Sequence, residues 1–198
     1  MKFLFDLDGT VTKQETLPLI AAHFGIEDAL SELTEETVKG NIPFLESFIH
    51  RVHILKDFSV SEIALFLQEV EVYSHVMSFI QAHREQCCIV TGNLFCWIEL
   101  LARRFGCQCY SSQAIVKDDH IERISVILRK EDVVRQMKEA GDTVVFVGDG
   151  NNDVEAMRAA DRSIATAMTH SPATGVLSVA DYLVLNEVAL CRQLNQLL

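Results

Sequence analysis

No run of apolar residues in this chain comes near the roughly 18 that a helix needs to cross a bilayer, so a membrane-spanning protein is excluded as a reading. The opening Met1-Lys2-Phe3-Leu4-Phe5-Asp6 reaches a charge too early for a secretory signal, which makes a cytoplasmic location the expectation. Six cysteines are present, but Cys87-Cys88 and Cys107-Gln108-Cys109 lack the Cys-x-x-Cys spacing of zinc and redox sites. They read as reduced thiols used for packing. Positive charge is scarce too: 17 Lys and Arg stand against 28 Asp and Glu, a net charge of −11 that repels phosphate backbones and anionic lipid. No nucleic acid and no membrane is expected as a partner. Internal repeats and low-complexity tracts are also missing.

What is there is an ordinary globular balance, 49% apolar and 23% charged over 198 residues, enough for one compact core with room for an insert. Short apolar runs alternate with helix-period segments, the pattern of an α/β protein with a parallel sheet flanked by helices. Three runs read as buried strands: Phe3-Leu4-Phe5, Cys87-Cys88-Ile89-Val90 and Thr143-Val144-Val145-Phe146-Val147. Each gives way at once to small or polar residues, at the carboxyl edge where open α/β sheets bind ligands.

The connection between the first two strands is far longer than the dozen or so residues a parallel crossover needs. Apolar stripes at Leu17, Ile20, Ala21, Phe24, at Leu45, Phe48, Ile49, Val52 and at Ile63, Phe66, Leu67, Val70 predict helices there, with Ser59 and Glu62 as a capping box. The expectation is a small helical cap over residues 12–75, inserted into a core made of residues 1–11 and 76–198 and lying over its active edge. Downstream, the pattern predicts a helix from about Thr91 to Phe105 and a hairpin turning at Lys117-Asp118-Asp119-His120. Helices over 131–140 and 152–160, a run at 181–185 and a closing amphipathic helix complete it.

Chemistry concentrates in two places. In Asp6-Leu7-Asp8-Gly9-Thr10-Val11-Thr12, two carboxylates sit where a buried strand ends, and burying them costs several kcal/mol unless a cation or a proton compensates. A plain Asp-Gly turn would explain Gly9 but not Asp6. Gly148-Asp149-Gly150-Asn151-Asn152-Asp153 comes after another buried strand in the same way. Oxygen ligands with glycines that let the backbone come close suit a hard divalent ion such as Mg²⁺. A turn leading into a helix would explain either cluster alone, not both.

Asp6 to Thr12, Thr91-Gly92, Lys130 and Gly148 to Asp153 resemble, in order and spacing, the four motifs of the haloacid dehalogenase superfamily of phosphotransferases. The resemblance implies a Rossmann-like core with an inserted cap, and a small phosphorylated metabolite as substrate. It implies that Asp6 is the nucleophile that forms an aspartyl-phosphate and that Asp8 is the general acid and base. Mg²⁺ would be held by Asp6, the main-chain carbonyl of Asp8 and Asp149, with Asp153 orienting its shell. Thr91, the Gly92 amide and Lys130 would grip the phosphoryl oxygens. Lys117 competes with Lys130 for that role, but its place in a polar turn beside Asp118 and Asp119 reads as a solvated loop charge. Asn152 would add an amide contact to substrate.

Glu15-Thr16 and the stretch from Gly40 to Val52 are similar to the cap of phosphoserine phosphatases. Glu15 and Arg51 stand where those enzymes hold the substrate's amino and carboxylate groups; a surface ion pair between them is the other reading. Two differences stand out from those phosphatases, which often carry serine at the position of Gly9 and a Ser-Gly-Gly where this chain has Thr91-Gly92-Asn93. Asn93 is expected near the phosphate or the amino-acid end of the substrate. His50 and His53, three apart, read as cap-surface residues, and Phe95 and Trp97 as core. A phosphotransferase passing the group to an alcohol shares every catalytic residue, and a receiver-like phosphoacceptor module is the reading from another class.

Overall fold

The computed structural model describes residues 1–38 and 42–198. Its centre is a seven-stranded sheet in the order β4-β3-β2-β1-β5-β6-β7. The strands are β1 (Lys2–Phe5), β2 (Cys87–Leu94), β3 (Gln108–Lys117), β4 (His120–Val126), β5 (Val144–Gly148), β6 (Arg162–Thr166) and β7 (Tyr182–Val184). All neighbours run parallel except β3 and β4, which form the expected hairpin. From central β1 the chain builds outward through β2 and β3 on one side and through β5, β6 and β7 on the other. The crevice at such a reversal of strand order opens at the carboxyl ends of β1, β2 and β5.

Alternation along these strands builds two cores. Phe3, Phe5, Ile89, Val145 and Val147 point to one face and Leu4, Cys88, Val90, Val144 and Phe146 to the other. Buried on both faces, β5 carries no polar residue and β2 none before Thr91, as parallel strands covered by helices require. The helices in chain order are α1 (Thr16–Phe24), α2 (Glu27–Val38), α3 (Phe44–Leu55), α4 (Val60–Gln68), α5 (Ser74–Ala82), α6 (Phe95–Phe105), α7 (Lys130–Glu139), α8 (Val154–Ala159), α9 (Thr174–Leu177) and α10 (Glu187–Leu197). Trp97 on α6 is fully buried, as its place on an apolar face suggested, and Phe95 is partly buried. All six cysteines are free.

Helices α1 to α4 lie between β1 and α5. The chain leaves and re-enters the sheet region through two segments that run side by side: Thr12 bridges Val72, the Lys13 amide donates to Glu71 (2.9 Å), and the Tyr73 amide donates to Val11 (3.0 Å). Helix α4 is held at both ends by residues from outside this stretch. At its N-terminus Ser59 caps the Glu62 amide (3.0 Å), while Asp119 from the hairpin turn accepts from the Ser59 hydroxyl (2.5 Å) and from the Ser61 amide (3.0 Å) and hydroxyl (2.6 Å). At its C-terminus Arg104 of α6 donates to the carbonyls of Gln68 (2.7 Å) and Val70 (2.8 Å). An anion at the start and a cation at the end both complement the helix dipole. Gly40 and Asn41, at the head of the cap-like stretch, lie outside the described residues. No helix among the described residues is long and apolar enough to cross a membrane.

Several elements differ from the sequence expectation; helices α2, α5 and α9 were not expected at all. Strand β2 continues to Leu94 before α6 begins, and β3 starts at Gln108, well ahead of Ile115-Val116, the apolar pair that the sequence offers before the hairpin turn. Helix α7 starts at Lys130 itself. Strand β6 was not expected, because Arg162-Ser163-Ile164-Ala165-Thr166 is short and half polar; it is a strand because β5 and β7 pair with it on both sides.

Candidate active site

Because β1, β2 and β5 are neighbours, the residues at their carboxyl ends meet. Asp6 extends β1 by one bond, its amide donating to Val147 (2.9 Å), and the chain then folds back. The amides of Val11 and Thr12 and the Thr12 hydroxyl all donate to the Leu7 carbonyl (2.9–3.0 Å). The reversal is made possible by Gly9 at φ +71°, a conformation that side chains disfavour.

Carboxylate oxygens of Asp6, Asp149 and Asp153 lie within 4.8 Å of one another, all three residues buried. Lys130, the first residue of α7, sends its Nζ between them, 2.5 Å from Asp6 Oδ1 and 2.6 Å from Asp153 Oδ1. The other oxygen of Asp153 accepts the amides of Asp149 (3.1 Å) and Gly150 (3.0 Å). Gly148 leaves room for that carboxylate: a Cβ there would stand 2.5 Å from Asp153 Oδ2. The Thr10 hydroxyl donates to Asp149 Oδ1 (2.5 Å).

Three buried carboxylates face one ammonium. Burial, with Asp153, Asp149 and Asp8 adding to it against the pull of Lys130, holds Asp6 well above the usual carboxylate range. Burial and then Asp153 push Asp149 up to about 7. Lys130 loses stability as a cation through burial, but Asp153 and Asp6 outweigh this and hold it firmly protonated. Surplus negative charge in an all-oxygen cluster fits a hard divalent cation such as Mg²⁺, with Asp6, Asp149 and Asp153 as the side chains able to hold it. The Asp8 carboxylate is not in this trio; a metal contact from Asp8 would be by its main-chain carbonyl.

Asp8 is half-buried and turned to the start of α1, where the amide (2.8 Å) and the hydroxyl of Thr16 both donate to its Oδ1. Burial and the nearby Glu15 raise its pKa to about 6, the Thr16 bonds restraining the rise. The Thr16 hydroxyl in turn accepts from Asn93 Nδ2 (2.6 Å), and Asn93 Oδ1 accepts the Leu94 amide (2.9 Å). Asn93, expected near the phosphate or the amino-acid end of the substrate, thus bonds Thr16 beside Asp8. Its amide donates to the buried Thr91 hydroxyl oxygen (3.2 Å), which ties the end of β2 to the same network. Gly92 is buried inside β2.

Arg51 lies half-buried on α3. Burial lowers its pKa, while the charges of Glu15 and Asp8 oppose the shift. Glu15 immediately precedes α1, and its Oε1 lies 3.0 Å from His170 Nε2. Asn152 is half-buried in the 3₁₀ turn Asn151–Asp153. Lys117 is exposed at the far end of the hairpin, and His50 and His53 are exposed on α3. Sequence reasoning gave no role to Thr10, Thr16 or His170. The first two lay inside quoted segments, and His170 comes after the unexpected strand β6.

Residues 3–161 match the family model described as haloacid dehalogenase-like hydrolase. The phosphoserine phosphatase of Methanocaldococcus jannaschii is 25% identical over 175 residues, covering 82% of this chain and 83% of that protein. That of Saccharomyces cerevisiae is 26% identical over 180 residues, covering 82% of this chain and 58% of that protein, so this chain spans little more than half of the yeast relative. Among solved structures, a substrate-bound phosphoserine phosphatase superposes with a TM-score of 0.82 at 20% identity, covering 98% of each chain. At that identity the superposition speaks for the fold.

Proposed function

The chain belongs to the haloacid dehalogenase-like hydrolase family, and on that premise we propose that it is a Mg²⁺-dependent phosphomonoesterase whose leading substrate is O-phosphoserine. The observation that carries the reading is the buried constellation of Asp6, Asp149, Asp153 and Lys130, set beside a half-buried Asp8 whose pKa is close to neutral.

In this reading residues 12–75 form a cap over the site. Asp6 Oδ attacks phosphorus and the ester oxygen leaves, which makes an aspartyl-phosphate and an alkoxide. Asp8, protonated at its raised pKa, gives its proton to that alkoxide; ionised, it then takes a proton from the water that attacks the aspartyl-phosphate. Bound Mg²⁺ supplies charge neutralisation for the phosphoryl group and for Asp6. Thr91, the Gly92 amide and Lys130 bind phosphoryl oxygens, and Lys130 opposes the upward shift of Asp6 and so favours its ionised, nucleophilic form. Arg51 pairs with the substrate carboxylate, Glu15 faces its ammonium, and Asn152 adds an amide contact. The relatives named phosphoserine phosphatase, and an Arg51 that feels the charges of both Glu15 and Asp8, support this choice of substrate.

Asp6→Asn tests the mechanism. Turnover should vanish while the circular dichroism stays native, and retained turnover would reject the nucleophile. Arg51→Ala tests the substrate: KM for phosphoserine should rise far more than for p-nitrophenyl phosphate, and equal effects would remove the carboxylate contact.

A further inference from the structure

The amino-terminal edge of the sheet, on the far side from Asp6 and Thr91, holds a cavity of about 300 Å³. Lys2, Cys88 and Tyr110 line it from β1, β2 and β3, and Met137 lines it from the last turns of α7, so it lies between the sheet and the end of that helix. Cys88 and Met137 are buried and give the cavity an apolar part. Charges of both signs complete the lining, Lys2 and Arg84 as cations and Glu85 and Asp142 as carboxylates.

These charges do not answer one another. Arg84 lies in the turn before β2 and Asp142 in the loop before β5, and β1 runs between those two strands. Two strand spacings hold the segments about 10 Å apart. Neither the Arg84 guanidinium nor the Asp142 carboxylate has a hydrogen bond or an ion pair among the described residues. Lys2 gives one N–H to the Glu85 carbonyl (2.7 Å) and keeps two. The larger groove between α7 and α8, about 420 Å³, is the contrast. There Arg135, Lys138 and Arg158 are held at 2.7–2.9 Å by Asp132, Asp161 and Glu155, so its cations already have partners.

We infer that this cavity is a second ligand site, for a small zwitterion of the α-amino-acid class, and that its occupant acts on the active site through α7. A carboxylate has Arg84 and the free N–H groups of Lys2 to meet it, an ammonium has Asp142, and the apolar part takes a short side chain. A ligand of one sign would satisfy half of the lining and strip water from the other half, which costs free energy. Helix α7 carries the effect. Its last turns touch the cavity, and its first residue, Lys130, bonds Asp6 and Asp153. Ten residues of helix form a rod about 15 Å long, so a ligand seated under one end shifts the other.

Isothermal titration calorimetry of the Mg²⁺-loaded full chain with each common α-amino acid tests the site. At least one should bind, and Arg84→Met or Asp142→Asn should weaken it about tenfold or more, the scale of one charge-assisted contact. The methyl ester and the N-acetyl derivative of that amino acid, each lacking one charge, should lose as much. Arg51→Ala should leave the affinity unchanged. The bound amino acid should alter kcat for p-nitrophenyl phosphate in the wild type and not in Asp142→Asn. No binding by any amino acid at millimolar concentration would overturn the inference. Binding that is lost in Arg51→Ala and kept in Asp142→Asn would put the ligand in the active site and overturn it equally. Binding with no change in kcat would remove the link through α7. If p-nitrophenyl phosphate is not turned over at all, the phosphatase reading fails, while the binding measurements still decide this one.

Discussion

Lys130 and Asp6 are 124 residues apart in sequence, yet Nζ of one lies 2.5 Å from Oδ1 of the other, both buried. The pair exists because α7 begins beneath the end of β1, and Asp153 completes it on the opposite side of the ammonium. One cation thus serves two of three clustered carboxylates before any metal or phosphate arrives.

Lys130→Met removes that cation and leaves the carboxylates to compensate by taking up protons. Breaking a buried pair by deleting one partner costs about 3–5 kcal/mol. The loss should be larger at pH 8, where ionised carboxylates repel, than at pH 5, where protonation relieves them, and saturating Mg²⁺ should recover part of it. Urea denaturation at the two pH values measures this. Equal stability of variant and wild type at pH 8 would show that Lys130 is not the counter-charge. Activity should fall at least about 10²-fold from loss of the phosphoryl contact.

The parts of this site visible in sequence are those fixed by burial. Phe3-Leu4-Phe5, the Cys87 run and the Val144 run could only be covered strands, and the residues at the ends of such strands must gather at one edge. The hidden parts depend on partners far away in the chain. Asn93 bonds Thr16, 77 residues distant, and no local pattern sets that direction. His170 was invisible because β6, with Arg162, Ser163 and Thr166, owes its strand conformation to pairing on both sides rather than to composition. The carboxyl edge therefore had one strand end more than periodicity revealed.

Thr16→Val tests the control of Asp8. The Thr16 hydroxyl donates to the Asp8 carboxylate and favours its ionised form, so the isosteric apolar variant should move the Asp8 pKa above its value of about 6. As the general acid must be protonated, the limb of the kcat/KM profile that falls with rising pH should shift to higher pH. Asn93→Ala, one bond further out, should shift it in the same direction by less. Alkyl phosphates should show the limb more strongly than p-nitrophenyl phosphate, whose leaving group needs less help. A limb that stays in place in Thr16→Val would remove Asp8 as the titrating acid.

Gly148 and Gly150 make a matched pair. A Cβ on Gly148 meets Asp153 Oδ2 at 2.5 Å, and that carboxylate is fixed by two amides and Lys130. A Cβ on Gly150 meets Asn152 Oδ1 at the same distance, but this is the free end of a half-buried side chain that can rotate away. Gly148→Ala should cost about 1–3 kcal/mol and weaken Mg²⁺ binding, whereas Gly150→Ala should be nearly neutral in stability. Thermal melts with and without Mg²⁺ compare them, and equal losses in the two variants would contradict the wedged position of Asp153.

The same cluster sets how stability responds to pH in the metal-free protein. Asp149 has a folded pKa of about 7 against an ordinary value near 3.8, and Asp6 is raised as well. Between those values the folded state holds more protons than the unfolded chain, so stability falls as pH rises through that window. His170 acts in the same direction at higher pH: its folded pKa is raised to about 9, so its contribution is complete below about 6.5 and is lost as pH climbs through 9. The melting temperature of the metal-free protein should therefore decline from pH 5 to pH 9. Mg²⁺ competes with protons for the carboxylates, so the increment in melting temperature that it produces should grow with pH, small at 5 and large at 8. Differential scanning calorimetry in matched buffers, with chelator or with Mg²⁺, reads both trends. A metal-free melting temperature that rises across this range, or a Mg²⁺ increment that shrinks with pH, would mean that the three carboxylates do not share one buried cluster.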